Sequence, residues 1–502
     1  MSSVLVVGAG PTGLLMAAEA ARYGMSCRII DKLPLPLEKS RALAIQPRTM
    51  ELFDHLGIAD LFLKEGLKIL GANPCSGKKR LAHLSFKSLD SDFPFILSIE
   101  QSKTEKILTH YLSSFGIKVE RNVEFIDLRQ ESNRVLAILR DHSTGKEEQT
   151  EAAWVIGCDG AHSQVRKSIG IPFEGKPFHS IFSLADVALD WKERHDELFL
   201  FLDPDGILGT IPMPGERRYR LVFQLERCQT PTQSEIDNPT LEEVKRKVRQ
   251  SIGENVKVSD PIWLANFHIN SRLVKSYRKG RVFLAGDAAH IHSPAGGQGM
   301  NSGLQDVFNL GWKLASGNET LLDTYSLERR SWGLNLIRAT RWTTLMATLR
   351  NPIGVFLRNR FIQHIIPKIE RRLIRAIAQI SIQYPKSIIA DEEGIFDGGP
   401  KAGTRAPNAP IGSKDLYSIL RNTTLYHLLL FGGWPEPFPE SFKGPGISRI
   451  SIHTIKDEKA QKIYGVKKAA AYVIRPDQYI GHRSSNLICL EKYFSRLFND
   501  RA

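Results

Sequence analysis

Glycine-rich segments at three places in the chain carry residue types suited to binding a dinucleotide. In the first segment, Gly8, Gly10 and Gly13 have the spacing G-x-G-x-x-G. This spacing permits a tight turn and lets a pyrophosphate approach the backbone, because a glycine presents no side chain. The second segment is residues 158–163 and the third is residues 286–301, and each contains an aspartate next to a glycine.

The sequence around the first segment predicts the elements that position it. Val4–Val7 is a short aliphatic run typical of a strand buried on both faces, and residues 14–23 have helical composition. Residues 27–30 predict a second strand that ends at Asp31. The helix directs its free N–H groups at phosphates, and Asp31 lies where a carboxylate can accept from ribose hydroxyls. This βαβ pattern indicates a dinucleotide site but does not distinguish FAD from NAD(P).

The third segment indicates a flavin. Residues 281–287 predict a strand that stops at a Gly-Asp turn, where Asp287 can bind the hydroxyls of a ribityl chain. After a loop, the capping-box spacing of Ser302 and Gln305 predicts a helix from about Ser302 to Leu314. The positive N-terminus of that helix would favour a reduced flavin, which carries negative charge near N1 and O2.

In this order the three segments resemble those of the single-component FAD-dependent aromatic hydroxylases, the family typified by p-hydroxybenzoate hydroxylase. The family markers are an N-terminal dinucleotide fingerprint, an internal Asp-Gly motif and a Gly-Asp motif extended by G-G-Q-G-M-N-x-G, and all are present. The resemblance implies an α/β fold with a Rossmann-like FAD-binding domain, an interleaved β-sheet substrate domain and a C-terminal thioredoxin-like domain. It covers nearly the whole chain and is most specific in residues 286–306.

The resemblance also implies which residues bind FAD. Asp287 would contact the ribityl or phosphate part, residues 299–301 the isoalloxazine edge, and Asp159 both FAD and NAD(P)H. Arg41 would lie near the flavin phosphates and the reductant. Gln101 would lie near the ribityl chain, although it lacks the proline that usually precedes it in the family. The predicted cofactor-binding residues are Gly8, Gly10, Pro11, Thr12, Gly13, Asp31, Arg41, Gln101, Asp159, Gly286, Asp287, Pro294, Gly297, Gly299, Met300 and Asn301.

Domain boundaries follow from the same resemblance, supported by alternating apolar runs and turn-rich loops in the middle of the chain. The predicted ranges are 1–75, 100–175 and 270–345 for the FAD-binding domain, 76–99 and 176–269 for the substrate domain, 346–395 for a helical linker and 396–502 for the thioredoxin-like domain. That last domain has no C-x-x-C pair, so its predicted role is structural or oligomeric and not redox.

Composition limits the remaining classes. A chain of 502 residues predicts two or three domains. Five cysteines without a C-x-x-C pair indicate neither a disulfide framework nor a zinc site and fit the cytoplasm. No spanning helix is predicted. The net charge of +14 is spread along the chain, so we expect attraction for anionic ligands such as a nicotinamide dinucleotide and no nucleic-acid binding.

Residues 350–385 form a basic amphipathic stretch with arginines among isoleucine, leucine and phenylalanine. Two interpretations are open. The stretch could lie on a membrane surface, or it could be a linker helix packed between domains, which the resemblance favours. The other expected partners are a small aromatic substrate and O2, and a homodimer is left open.

The reaction implied by the resemblance is hydroxylation. NADPH or NADH reduces FAD, O2 adds at flavin C4a to give a hydroperoxide, and the distal oxygen attacks an electron-rich ring such as that of a phenol or polycyclic aromatic compound. Two alternatives remain, since a shared fold does not fix the chemistry. One is a FAD-dependent dehydrogenase or reductase, and the other is a non-catalytic flavoprotein.

No residue is identified as the base that deprotonates the substrate. Tyr219 and His268 are candidates only because they fall in the substrate region. His290 and His292 lack a third partner at metal spacing, so no metal site is predicted. A hydrolase would need a G-x-S-x-G elbow, which the sequence does not contain.

Overall fold

The computed structural model describes residues 2–39, 42–203, 206–224, 237–293, 296–394, 396, 398–434 and 449–498. The α-helices of these residues are Pro11–Arg22, Pro47–His55, Ala59–Glu65, Gln101–Ser113, Gln164–Ser168, Leu241–Ser251, Gly299–Ser316, Glu319–Ala347, Pro352–His364, Ile366–Ile377, Leu416–Leu420, Glu458–Ile463 and Leu487–Phe498. Short 3-10 helices cover Phe86–Ser88 and Gly286–Ala288.

An eight-stranded sheet holds the three glycine-rich segments at the ends of parallel strands. In order across the sheet, its strands are Val123–Gln130, Val135–Asp141, Glu147–Gly157, Ser2–Val7, Cys27–Asp31 and Val119–Arg121, while Val282–Leu284 pairs with Glu147–Gly157 and with Arg278–Lys279. The strands that carry the three segments are parallel to one another, so their carboxyl ends meet at one edge. The predicted Rossmann-like βαβ unit is confirmed.

A nine-stranded sheet forms the second layer. In order, its strands are His290–Ile291, Lys257–Val274, Phe173–Asp190, Arg218–Gln224, Gly206–Pro212, Glu197–Asp203, Gly71–Ser76 and Lys79–Arg80, with Leu84–Ser85 pairing to Gly71–Ser76. Alternate residues of these strands point to opposite faces. One face packs an apolar core against the helix Leu241–Ser251.

The C-terminal region has a five-stranded sheet with both parallel and antiparallel pairs. Its strands, in order, are Asp391–Glu393, Ile480–Ser484, Ala470–Ile474, Tyr426–Phe431 and Ile450–Ile455. Smaller sheets join Ala44–Ile45, Ile96–Ser98 and Leu67–Ile69, and join Pro410–Ile411 to Lys414–Asp415. The thioredoxin-like assignment and the domain boundaries stay predictions.

One expectation for the third segment was wrong. The helix begins at Gly299, three residues before the predicted start, and Gln298 already has helical backbone angles. Ser302 does not cap the helix. It is buried inside it, and its hydroxyl accepts a hydrogen bond from Trp332 Nε1 at 3.3 Å. The consequence is that the glycine-rich loop itself supplies the first turn of the helix.

The stretch 350–385 contains two helices, and the first leaves much of its apolar surface exposed. Helix Pro352–His364 has Arg358 as its buried residue, while Ile353 and Leu357 are 71% and 60% exposed. Helix Ile366–Ile377 buries Ile374 and contacts the edge of the nine-stranded sheet, where Glu370 accepts a hydrogen bond from the Ser85 amide at 2.8 Å.

Fully buried charges join the C-terminal sheet to the two long helices. Glu328 accepts from Lys313 Nζ at 2.7 Å and from Arg475 at 2.7 and 3.0 Å, and all three side chains are inaccessible to solvent. Burial opposes ionisation of Glu328, yet Arg475 and Lys313 hold its pKa well below the usual range. Burial lowers the pKa of Lys313 to about 8. The group is stable only as a complete set, because each charge compensates another.

A second buried ion pair joins the C-terminal region to the FAD-binding region. Arg405 donates from Nε and a terminal nitrogen to Glu51 at 2.9 and 3.0 Å. Arg48, beside Glu51, donates to the Gln478 side chain and to the Asp477 carbonyl, both at 2.9 Å. The helix Pro47–His55 is thereby tied to the turn before Ile480–Ser484.

Glu328→Gln should strongly destabilise the protein, because it leaves Lys313 and Arg475 as buried cations with reduced compensation. We expect a loss of about 3–5 kcal/mol in the free energy of unfolding, measured by urea denaturation. Glu131→Gln is the matched control. Glu131 also contacts two arginines, Arg129 and Arg134, but at the surface, so little change is expected. Equal effects of the two substitutions would contradict the assignment.

Candidate functional site

The first glycine-rich turn has the close approaches that its sequence predicts. Gly8 has φ +99°, and a Cβ there would lie 2.5 Å from the Cys158 carbonyl oxygen. A Cβ on Gly13 would lie 1.8 Å from the Gly8 carbonyl oxygen. Both positions therefore exclude any side chain. Gly10 differs, because no atom beyond its own chain neighbours lies within 4 Å of its Cβ position, which leaves open space beside the N-terminus of helix Pro11–Arg22.

Asp31 fixes the shape of this turn. Its Oδ2 accepts from the Ala9 amide at 2.7 Å and its Oδ1 from the Leu33 amide at 2.8 Å. Arg121 lies 3.8 Å from the same carboxylate. Each carboxylate oxygen has two acceptor sites, so Asp31 can hold the turn and also accept from a sugar hydroxyl.

Asp159 is positioned by the short helix Gln164–Ser168. Its Oδ2 accepts from the amides of Gln164 and Val165 at 2.6 and 3.1 Å. Its Oδ1 is buried and has no hydrogen-bond partner among the described residues. Burial raises the pKa of Asp159. Next to it, Gly160 has φ +77° and open space at its Cβ position. An unused acceptor beside open space is the feature expected where a hydroxylated ligand binds.

The third segment packs directly against the first. A Cβ on Gly286 would lie 2.8 Å from Thr12 Oγ1, and one on Gly303 would lie 2.5 Å from the same atom. Asp287 is exposed between the buried residues Gly286 and Ala288. The side chain of Arg166, near the second segment, donates to the Ala288 carbonyl at 3.1 Å. All three segments therefore meet in one place.

The buried carboxylate of Asp306 positions the Gly-Asp turn. Its Oδ2 accepts from the Gly286 amide at 3.0 Å and contacts His290 Nε2 at 2.8 Å, while Oδ1 accepts from Arg329 Nε at 2.6 Å. Burial would raise the pKa of Asp306, but Arg329 and His290 hold it below the ordinary value. His290 thus supports the turn. The sequence analysis missed this group, although charged residues within apolar runs signal buried pairs.

The side chain of Asn301 joins residues 44–46 to the loop before the helix. Its amide nitrogen donates to the carbonyls of Ala44 and Gly297 at 2.8 and 2.9 Å, and its oxygen accepts from the Gln46 amide at 2.8 Å. The side chain is fully buried. The backbone N–H groups of Gly299, Met300 and Asn301 belong to the first helical turn and so lack intrahelical acceptors. They form a site of positive potential at the loop.

His292 lies beside this helix start. Its Nδ1 donates to the Ser293 carbonyl at 2.8 Å, so Nε2 is an acceptor in the neutral ring. Nε2 is buried without a partner among the described residues and lies 3.7 Å from the Cβ position of Gly299. Burial, with a smaller effect of His290, lowers the pKa of His292 to about 4. The ring is therefore neutral near pH 7.

Other predicted residues lie at the margin of this site or outside the described residues. Gln101 begins the helix Gln101–Ser113, and its amide donates to Glu105 at 2.8 Å. Arg41 and Pro294 fall outside the described residues, so their assignments stay predictions.

The two candidate bases fare differently. The side chain of His268 is not described. Tyr219 packs on the face of the nine-stranded sheet that the helix Leu241–Ser251 covers, which we call the far face. Burial raises its pKa to about 12, which makes it unsuitable as a base.

The opposite face of the nine-stranded sheet, which we call the near face, carries an ion pair that the sequence analysis missed. Arg220 donates to Asp186 through two hydrogen bonds of 2.7 Å, and both side chains are buried. The guanidinium lies 5.4 Å from the centre of the Trp263 ring and 3.5 Å from the Ala42 carbonyl. Phe182 and Phe267 lie on the same face, with ring centres 6.1 Å apart.

These features fit FAD. Glycines whose Cβ positions are open, an unpaired buried acceptor, an exposed carboxylate and three N–H groups at a helix start surround one region. They supply the contacts that a pyrophosphate, a ribityl chain and an anionic ring edge need. An aromatic sheet face with a buried ion pair adjoins this region through Ala42.

Comparison with known proteins agrees with this geometry. A family model described as a FAD binding domain matches residues 1–340. The chain is 34% identical to 6-methylpretetramide 4-monooxygenase of Streptomyces rimosus over 96% of this chain and 91% of that protein. It is 32% identical to pentachlorophenol 4-monooxygenase of Sphingobium chlorophenolicum over 96% of this chain and 94% of that protein.

The solved structure of an anhydrotetracycline hydroxylase from Streptomyces rimosus has a TM-score of 0.79 and 28% identity, covering 100% of both chains. The fold and site therefore define a flavoprotein hydroxylase. The chain belongs to the family of FAD-dependent aromatic hydroxylases and is a FAD-dependent monooxygenase. The family resemblance drawn from the three segments is confirmed.

The resemblance assigns Asp287 to the ribityl or phosphate part of FAD, so Asp287→Ala should weaken FAD retention through loss of a charge-assisted hydrogen bond. We expect the dissociation constant for FAD to rise about 10- to 100-fold, from a contribution of about 1.5–3 kcal/mol. The measurement is a flavin fluorescence titration of the FAD-depleted protein. Asp190→Ala removes another exposed carboxylate, at the end of strand Phe173–Asp190, and should leave FAD affinity unchanged. Normal FAD affinity in Asp287→Ala would refute the assignment of Asp287.

Proposed function

We propose that this monooxygenase uses NADPH or NADH and O2 to hydroxylate a phenolic or polycyclic aromatic compound. The observation that carries the proposal is that the FAD-binding segments converge beside an aromatic sheet face. The named relatives act on 6-methylpretetramide and pentachlorophenol, which are a polycyclic and a phenolic compound. The same relatives favour hydroxylation over the two alternatives, a dehydrogenase and a non-catalytic flavoprotein.

The residues of the three segments would hold the cofactor. Bound FAD supplies hydride acceptance and the activation of O2. The backbone around Gly10 would bind the pyrophosphate, Asp31 the ribose, and Asp159 and Asp287 the ribityl hydroxyls. The N–H groups of residues 299–301 would stabilise negative charge at the edge of the ring. Arg41 would add positive charge near the phosphates and the reductant.

The near face of the nine-stranded sheet would bind the ring of the substrate. Trp263, Phe182 and Phe267 offer flat apolar surfaces against which an aromatic compound can stack. The buried pair of Arg220 and Asp186 gives this face rigidity, because both side chains are fixed by two hydrogen bonds. An apolar surface there also excludes water, which protects reactive oxygen species from wasteful release as peroxide.

The test is a panel of phenols and polycyclic phenols assayed for NADPH and NADH oxidation together with oxygen uptake. We expect at least one compound to accelerate both in equal amounts and to yield a product heavier by one oxygen atom, with that atom derived from labelled O2. NADPH oxidation without oxygen uptake would instead identify a dehydrogenase. A flavin-containing protein on which no compound acts would favour the non-catalytic alternative.

Trp263→Leu should weaken substrate binding, because a stacking surface on the near face is lost. We expect KM for the accepted aromatic compound to rise about 2- to 10-fold. Trp191→Leu is the matched control, since Trp191 packs against Phe199 and Tyr219 in the core on the far face. An equal rise in KM in both variants would contradict the placement of the substrate on the near face.

A further inference from the structure

The two helices after the FAD-binding region are arranged with polar contacts inward and apolar side chains outward. In helix Pro352–His364, the buried Arg358 donates to the Leu202 carbonyl at 2.7 Å, and Asn359 donates to Ser76 Oγ at 3.0 Å. These contacts fix the helix to the edge of the nine-stranded sheet. A helix of a globular protein normally buries its apolar stripe instead.

The outward side of these helices and of the end of helix Glu319–Ala347 forms what we call the apolar patch. Its members are Trp342, Ile353, Phe356, Leu357, Phe361 and Ile369, with exposed fractions of 61%, 71%, 58%, 60%, 38% and 40%. Several exposed apolar side chains of this size, together on neighbouring helices, mark an interaction surface.

Cations dominate the chain around the apolar patch. Residues 338–378 contain nine lysines and arginines and one acidic residue, Glu370, and Glu370 already accepts from the Ser85 amide. A groove of about 720 Å³ beside the patch is lined by Lys368, Arg371, Arg372 and Arg375, of which Arg375 also pairs with Asp90. We call this groove, with its four cationic side chains, the basic groove.

The charge decides which partner fits this surface. A second copy of the same surface would bring like charges together, which opposes self-association. A nucleic acid would match the cations but would gain little from exposed isoleucine, leucine and phenylalanine. An anionic membrane surface matches both features, since the apolar side chains enter the boundary between head groups and acyl chains while cations bind the phosphates.

We propose that this protein binds the surface of anionic lipid bilayers through the apolar patch and the basic groove. Among the described residues, no helix is long and apolar enough to cross a membrane, so the association is peripheral. The proposal does not depend on which aromatic compound the enzyme hydroxylates. It chooses between the two interpretations of residues 350–385, because the outward apolar side chains are not those of a packed linker.

The test is co-sedimentation of the FAD-loaded protein with vesicles made of equal parts phosphatidylcholine and phosphatidylglycerol. We expect binding to these vesicles and none to phosphatidylcholine alone, with marked weakening in about 0.5 M NaCl, which screens the charges. Phe356→Ser with Leu357→Ser should lower the vesicle partition coefficient about tenfold or more, through lost apolar burial. Arg371→Glu with Arg372→Glu should do the same through lost attraction.

Two matched pairs serve as controls. Ile452→Ser with Ile488→Ser changes exposed isoleucines of the C-terminal region, and Arg246→Glu with Arg249→Glu makes the same charge change on the exposed side of helix Leu241–Ser251. Both control pairs should bind vesicles like the parent, and all variants should retain bound flavin.

Three outcomes would overturn the proposal. The first is no vesicle binding by the parent protein. The second is an equal loss of binding in the test and control pairs. The third is a dimer, measured by light scattering, that only Phe356→Ser with Leu357→Ser dissociates, because the apolar patch would then be an interface between copies of the chain.

Discussion

The structure depends on backbone segments that approach one another more closely than any side chain would allow. The turn at Gly8 touches the carbonyl of Cys158, the helix after it touches the turn at Gly13, and Thr12 fits between Gly286 and Gly303. Segments separated by more than a hundred residues are thereby brought to a single edge of the first sheet. These contacts also explain why the three motifs occur together, because each motif packs against another one.

Much of this arrangement could be predicted from the sequence, because it depends on local patterns. The strands Ser2–Val7 and Cys27–Asp31, the intervening helix and the Gly-Asp turn follow from apolar runs and glycine spacing. The start of helix Gly299–Ser316 was misjudged because capping-box spacing also occurs inside a helix, where tertiary contacts bury the serine. Local spacing cannot reveal that burial.

Other features could not be predicted because they join distant positions. The pairing of Arg220 with Asp186 depends on the register of two strands, and the clamp made by Asn301 depends on where residues 44–46 lie. The exposure of helix Pro352–His364 was hidden as well, since an apolar-rich helix with arginines has the same composition whether it is covered or open. Burial of Arg358 in place of its apolar neighbours reverses the expectation from hydropathy.

The buried charges at the C-terminal junction have a consequence for how the chain can be divided. Glu51 and Glu328 lie in the part of the chain with the glycine-rich segments, and each also binds an arginine of the last hundred residues, Arg405 or Arg475. A fragment ending before these arginines would keep the Arg48–Glu51 and Lys313–Glu328 pairs but would expose to water the side that the arginines cover. The last hundred residues therefore contribute directly to the stability of the part that precedes them.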